Sequence, residues 1–253
     1  TLCCSICMLT NSMAQKIDHK LTEILQKEIA SFQGDIGIYV EHLTSHKTVE
    51  IDADTIFPTA SIVKVPILVG VFKQIQQGNL HLNDKFTYDA KRIYGGSGLM
   101  QFFKDSTQVD LATLISLMLS YSDNVTSIWC QELAGGGLAI NEIMDSLALP
   151  LTKVNSRTEG RKEIWEHYGW GQTTAKEMTL LMKGIRQGAV IDAEHDEKMY
   201  RFLKNQFYNE RSLSQIPAHI TTASKTGSID DARGEVVLVN APHGDYVFTK
   251  IKK

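Results

Sequence analysis

The sequence predicts an α+β fold in which one sheet is assembled from the two ends of the chain around a helical middle. Three observations predict it. Apolar and polar residues alternate in short runs near both ends, at "DIGIYVEHL" and "KTVEID" and again at "ITTASKTGS", "GEVVLVNAP" and "DYVFTKIKK", which is the two-residue period of strands. Between about residues 60 and 205 the apolar spacing lengthens to that of helices. No internal repeat and no low-complexity linker divides the chain, so the strands of the two ends are expected in one sheet with the helical middle inserted between them.

The elements follow in order. Residues 16–30 place Ile17, Leu21, Ile24, Leu25 and Ile29 on one stripe, an amphipathic helix stopped near Gly34. Two strands joined at Thr44 to His46 come next. Helices are predicted at 61–77, 110–121, 124–133, 139–147, 174–187 and 195–207, several of them ending at Gly or near Pro. Three terminal strands close the sheet, the last two joined by a tight turn at His243 to Asp245. The expected organisation is a sheet domain formed by 15–56 and 206–253, with a helical domain at 57–205.

Residues 1–14, "TLCCSICMLTNSMA", are apolar, uncharged and end in small residues, as in the apolar region and cleavage site of a secretory signal. The mature chain then starts near Gln15 with Cys130 as its sole cysteine, which leaves no intramolecular disulfide. A secreted protein is expected, periplasmic if the host is Gram-negative. The 253 residues suffice for a large core, with 43% hydrophobic and 22% charged residues and a net charge of -3. That balance supplies no basic footprint for nucleic acid, and no uncharged apolar run is long enough to span a bilayer. A monomer with no nucleic-acid partner is expected.

Within "PTASIVKVPILVG", residues 58–70, Ser61 and Lys64 stand one helical turn apart and share a face. Burying an amine there carries a desolvation cost, and a lysine so placed can take the proton of a nucleophilic serine. Alone, the pair also fits a capping serine and a lysine whose amine reaches solvent. Ser122-Asp123-Asn124 lies between two predicted helices, and Lys225-Thr226-Gly227 lies in a terminal strand. The three motifs, in this order and these contexts, form the signature set of serine β-lactamases and penicillin-binding proteins.

From about residue 36 to 251 the chain resembles a class A serine β-lactamase, as "GSGLMQ" at 96–101, "SDN", "TTAKEM" at 173–178 and "KTGS" also show. The resemblance implies a five-stranded antiparallel sheet flanked by helices, an inserted helical domain and an active site between them. It implies a β-lactam substrate, no cofactor and no metal. Ser61 is then the nucleophile, Lys64 its base, and Ser122 the relay that protonates the leaving nitrogen. The amides of Ser61 and Ser228 would stabilise the oxyanion. Asn124 would bond the substrate's amide side chain, and Lys225, Thr226 and Arg233 would hold its carboxylate beside Gly227.

Counting back from Thr173 and Thr174, Arg157-x-Glu159 falls where the family carries its water-activating glutamate. Glu159 is therefore the expected deacylation base, with Glu163 and Glu166 as solvated loop residues or substitutes. Three departures from the family pattern stand out. Glu163 replaces an asparagine, and neutral Gln172 replaces the aspartate that pairs with the arginine, so the loop is expected to be held by Trp165, Tyr168 and Trp170 instead. The family also closes with a helix packed on the sheet, for which nothing follows Lys253: the record is truncated, or that face is partly bare. The motifs leave a hydrolase, a slowly deacylating D,D-peptidase-like enzyme and an acyl-binding sensor open.

Overall fold

The computed structural model describes residues 16–253, and the leader-like residues 1–14, with Cys3, Cys4 and Cys7, lie outside the described residues. The strands are β1 (Lys16–Ile17), β2 (Ile36–His42), β3 (Lys47–Ile51), β4 (Phe57–Pro58), β5 (Lys85–Thr87), β6 (Gln108–Asp110), β7 (Lys153–Val154), β8 (Gly171–Thr173), β9 (Thr222–Ser228), β10 (Arg233–Val239) and β11 (Tyr246–Lys252). The helices are α1 (His19–Ile29), α2 (Lys64–Gln76), α3 (Leu111–Ser120), α4 (Asn124–Leu133), α5 (Gly136–Ser146), α6 (Lys162–Tyr168), α7 (Ala175–Gln187) and α8 (Ala193–Leu203).

Both ends of the chain do build one sheet, in the order β1-β3-β2-β11-β10-β9. It has six strands rather than five. The sixth, β1, is two residues long and pairs in parallel with β3, too short a run to carry an alternating pattern. The other pairings are antiparallel, and one row across the sheet reads Ile38, Lys250, Glu235, Thr226. The helical middle holds two features the sequence reading lacked: the small sheet β4-β8-β7 and the hairpin β5-β6. Among the described residues no helix is long and apolar enough to cross a membrane.

Helix α2 carries the centre of the molecule. Val65, Ile67, Leu68, Val69, Val71 and Phe72 are all buried, so the helix reads apolar nearly all round, as a fully enclosed helix must. Each such side chain contributes roughly 1.5–3 kcal/mol of burial. Helices α3, α4, α5 and α8 pack around it. Helix α7 lies across β2, β11 and β10, where Thr179 Oγ1 donates to Thr249 Oγ1 at 2.7 Å. One apolar core joins α2, α3 and α4 to Ala223, Val236, Leu238, Val247 and Ile251 of the sheet. Cys130 is a free, buried thiol whose pKa burial pushes up, which keeps it unreactive.

Candidate active site

The seam between sheet and helices brings the three motifs together. Strand β4 pairs with β8, Thr59 N donates to Gly171 O at 2.9 Å, and the chain then turns through Ala60 at φ 45° into a 3-10 helix that continues as α2. That left-handed alanine is strain stored next to Ser61. It leaves Ser61 half-buried at the mouth of the seam and Lys64 fully buried one turn on.

Lys64 Nζ lies 3.0 Å from Ser61 Oγ, 3.0 Å from Ser122 Oγ, 2.6 Å from Ser122 O and 3.0 Å from Asn124 Oδ1. Burial holds its pKa well below the usual lysine value, and the charge of Lys225 pushes the same way while Asp123 opposes it. Both leading causes favour the free amine, the form that accepts a proton from Ser61 Oγ. One nitrogen thus joins two hydroxyls, one suited to attack and one to protonate a leaving group.

Ser122 is held at φ 53° between α3 and α4. Asp123 fixes it there: Oδ1 caps α4 by accepting from Thr126 N at 2.9 Å, and Oδ2 accepts from Leu99 N at 2.6 Å and Met100 N at 2.7 Å. The segment around 95–103 is thereby tied to the Ser122 turn by charge-assisted bonds. Asn124 bonds Gly95 O through Nδ2 at 3.1 Å while Oδ1 faces Lys64.

The third motif lies on β9, the edge of the sheet. A Cβ on Gly227 would sit 2.5 Å from Thr59 O and 3.0 Å from Ser61 N, so only glycine lets the strand pass this close. That approach brings β9 alongside Ser61, and Ser228, the next residue, lines the same cavity as Ser61. Lys225 is fully buried and donates to Thr226 O at 3.0 Å. Burial, then the charge of Arg211, lowers its pKa to about 7. Ser61, Ser122, Thr226, Gly227 and Ser228 line one cavity of about 230 Å³ with Ser97, Tyr208, Glu210 and Arg211.

Two of the expected site residues lie outside the Ser61 cavity. Arg233 pairs with Ser228 across the strands but lines a neighbouring cavity with Glu235, Lys250 and Lys252, not the one at Ser61. The guanidinium on the Ser61 cavity belongs to Arg211, whose Nη1 donates to Gly227 O at 3.1 Å and Gly234 O at 3.0 Å. Arg211 sits in an aperiodic segment without a motif, and no local signal marked it.

The second is Glu159. Its side chain is exposed, takes part in no hydrogen bond or ion pair among the described residues, and lines neither cavity at Ser61; the same holds for the side chains of Glu163 and Glu166. The loop contains helix α6, which the counting of residues did not foresee. Its closure is made by Arg161, which bonds Asn155 Oδ1 at 2.7 Å and Gln172 Oε1 at 2.9 Å. Arg157 instead donates to Ser156 Oγ at 3.0 Å and lies over the Tyr94 ring. The expected aromatic cluster does not form: Trp165 is exposed, Tyr168 contacts His167, and Trp170 meets Tyr94 edge-on at 5.4 Å.

A family model described as the beta-lactamase enzyme family matches residues 20–251. Beta-lactamase VEB-1 of Pseudomonas aeruginosa is 20% identical over 253 residues, covering 96% of this chain and 83% of that protein. Beta-lactamase SME-1 of Serratia marcescens is 26% identical over 237 residues, covering 88% and 77%. Among solved structures, PBP-A superposes with a TM-score of 0.84 at 24% identity over 94% of this chain and 89% of that one. A mutant of PBP-A in an acyl-enzyme complex with penicillin G gives 0.85 at 24% identity, with the same coverage. A β-lactamase from Sphaerobacter thermophilus gives 0.82 at 23% identity, covering 91% and 86%.

Proposed function

The chain belongs to the beta-lactamase enzyme family, and on that premise we propose that it hydrolyses β-lactams through an ester on Ser61, in the manner of a class A serine enzyme, with release of the ester as the slow step. The observation that carries the proposal is the Lys64 amine, 3.0 Å from both Ser61 Oγ and Ser122 Oγ. Lys64 takes the proton of Ser61 as Oγ attacks the lactam carbonyl. The amides of Ser61 and Ser228 hold the oxyanion. Ser122 then delivers a proton to the ring nitrogen as the amide bond breaks. Asn124 bonds the amide side chain, while Lys225, Thr226 and Arg211 hold the carboxylate. As part of the same proposal, residues 1–14 export the chain, and it works as a monomer.

The exposed positions of Glu159, Glu163 and Glu166 favour a second reading of the same site: a penicillin-binding enzyme that acylates and releases the ester very slowly. One experiment separates the two. A chromogenic cephalosporin is mixed with the protein, product per enzyme is counted, and intact mass is taken at early and late times. Sustained turnover supports hydrolysis. One equivalent of product with a lasting adduct supports the second reading, and an adduct in Ser61→Ala refutes the nucleophile in both.

A further inference from the structure

A second cavity of about 260 Å³ also reaches Ser61; it is walled by Tyr94, Asn124, Tyr168, Trp170 and Ile229, and Arg211 is not among its lining residues. Hydrolysis of a Ser61 ester needs a water within reach of the ester carbon and a base beside that water. The Lys64 amine already faces Ser61, Ser122 and Asn124. What stands on its remaining side is the indole of Trp170, with Nζ 5.9 Å from the ring centroid. An aromatic face is no general base and offers water no strong acceptor.

The position of that indole is enforced. Trp170 O accepts from Asn155 N at 2.8 Å and Ser156 N at 3.1 Å. The next residue, Gly171, begins β8, which pairs with the strand that leads into Ser61. A Cβ on Gly171 would lie 2.6 Å from Val63 Cγ2 and 2.8 Å from both Lys153 O and Thr59 Oγ1, so this backbone is pressed against the nucleophile's own element. Tyr94 braces the ring at 5.4 Å, and Arg157 covers Tyr94 at 5.2 Å.

We infer that Trp170 sets the lifetime of the Ser61 acyl-enzyme, its indole excluding water from the face on which the ester would be attacked. In the step it restrains, a water oxygen bonds to the ester carbon and the bond to Ser61 Oγ breaks. The water's proton passes by way of Lys64 to Oγ, giving a free carboxylic acid and the serine. Acylation uses the other side of Lys64 and is unaffected. The inference rests on the acyl-enzyme reading above and deepens it.

The test uses the whole chain with penicillin G. Stopped-flow fluorescence gives the acylation rate, and intact mass after removal of free penicillin gives the adduct lifetime. Trp170→Ala is expected to shorten the lifetime about tenfold or more, Trp170→Glu to shorten it by about a hundredfold by adding a base, and Trp170→Phe to stay within about threefold of the parent. Acylation should stay within about threefold in all of them. Tyr94→Ala, which leaves the indole in place but unbraced, should shorten the lifetime in the same direction and serves if Trp170→Ala fails to fold. A lifetime unchanged in Trp170→Ala with acylation intact overturns the inference alone. So does a loss confined to acylation, the mark of a side-chain platform. No adduct on the parent protein overturns the acyl-enzyme reading and the inference together.

Discussion

Replacing Gly227 by alanine tests whether the close pass of β9 over Ser61 is the acylating geometry. The added Cβ would meet Thr59 O at 2.5 Å and Ser61 N at 3.0 Å, where ordinary contact begins at 3.4 Å. Both obstacles are backbone, so β9 must retreat by about 0.9 Å, the scale of misplacement that costs about a hundredfold in rate. Retreat separates the Ser228 amide from the Ser61 amide, and losing one such donor costs about 10²–10³-fold, or about 2.7–4 kcal/mol of transition-state stabilisation. Gly234→Ala is the control: its Cβ would meet Ile62 Cδ1 at 2.7 Å and Ile251 Cγ1 at 3.1 Å, side-chain atoms of the core rather than the backbone of Thr59 and Ser61. Both variants should lose about 1–3 kcal/mol of stability to overpacking, read as a melting-temperature drop. Only Gly227→Ala should lose acylation, read as the burst rate with a chromogenic cephalosporin. A Gly227→Ala protein that acylates within threefold of the parent refutes the assignment of this strand to the oxyanion.

Three further outcomes are expected. Lys225 titrates at about 7 because burial and Arg211 lower its pKa; it is charged below that pH and neutral above. The second-order rate of acylation by a carboxylate-bearing β-lactam should therefore fall as pH rises through 7, a limb that Arg211→Ala moves upward by removing a neighbouring positive charge, provided Lys225 still controls binding. Arg211→Ala should raise KM for such substrates about tenfold or more, whereas Arg233→Ala should leave it within about twofold; the reverse result restores Arg233 to the site. Asp123→Asn puts an amide donor where three backbone N–H groups converge, and charge-assisted bonds of this kind are worth about 1.5–3 kcal/mol each. Its melting temperature should fall by about 10 °C, and a fall of less than 2 °C would show that the 95–103 segment is held by other means.

The parts of the site that were legible in the sequence are those carried by regular elements. Ser61 and Lys64 stand one turn apart at the head of an apolar helix, Ser122 and Asn124 flank a capping aspartate, and Lys225 to Ser228 run along a strand whose period is plain. Local pattern fixed their mutual spacing, and the sheet brought them together. Counting back from Thr173 leaves Glu159 on the surface, away from both cavities at Ser61, because the count cannot show how the preceding loop folds. Helix α6 occupies seven residues of it, and Gln172 closes on Arg161 instead of Arg157. Arg211 lay in a stretch with neither period nor motif, and its role exists only through carbonyls of β9 and β10 far away in sequence. The strand β1 escaped for a simpler reason, since two residues display no alternation.

The placement of β11 bears on how the protein is made. It follows the other described strands in sequence, yet it lies inside the sheet, between β2 and β10. During translation β1, β3 and β2 can pair only with one another, and the open edge of β2 waits while the helical middle emerges. Helices α2 to α8 rest largely on near-neighbour contacts and can condense first, whereas the central pairing joins the most distant parts of the chain and closes slowly. The nascent protein thus exposes the edge of β2 until β11 has left the ribosome, so the strand that completes the sheet is also the one that protects it from pairing with other chains.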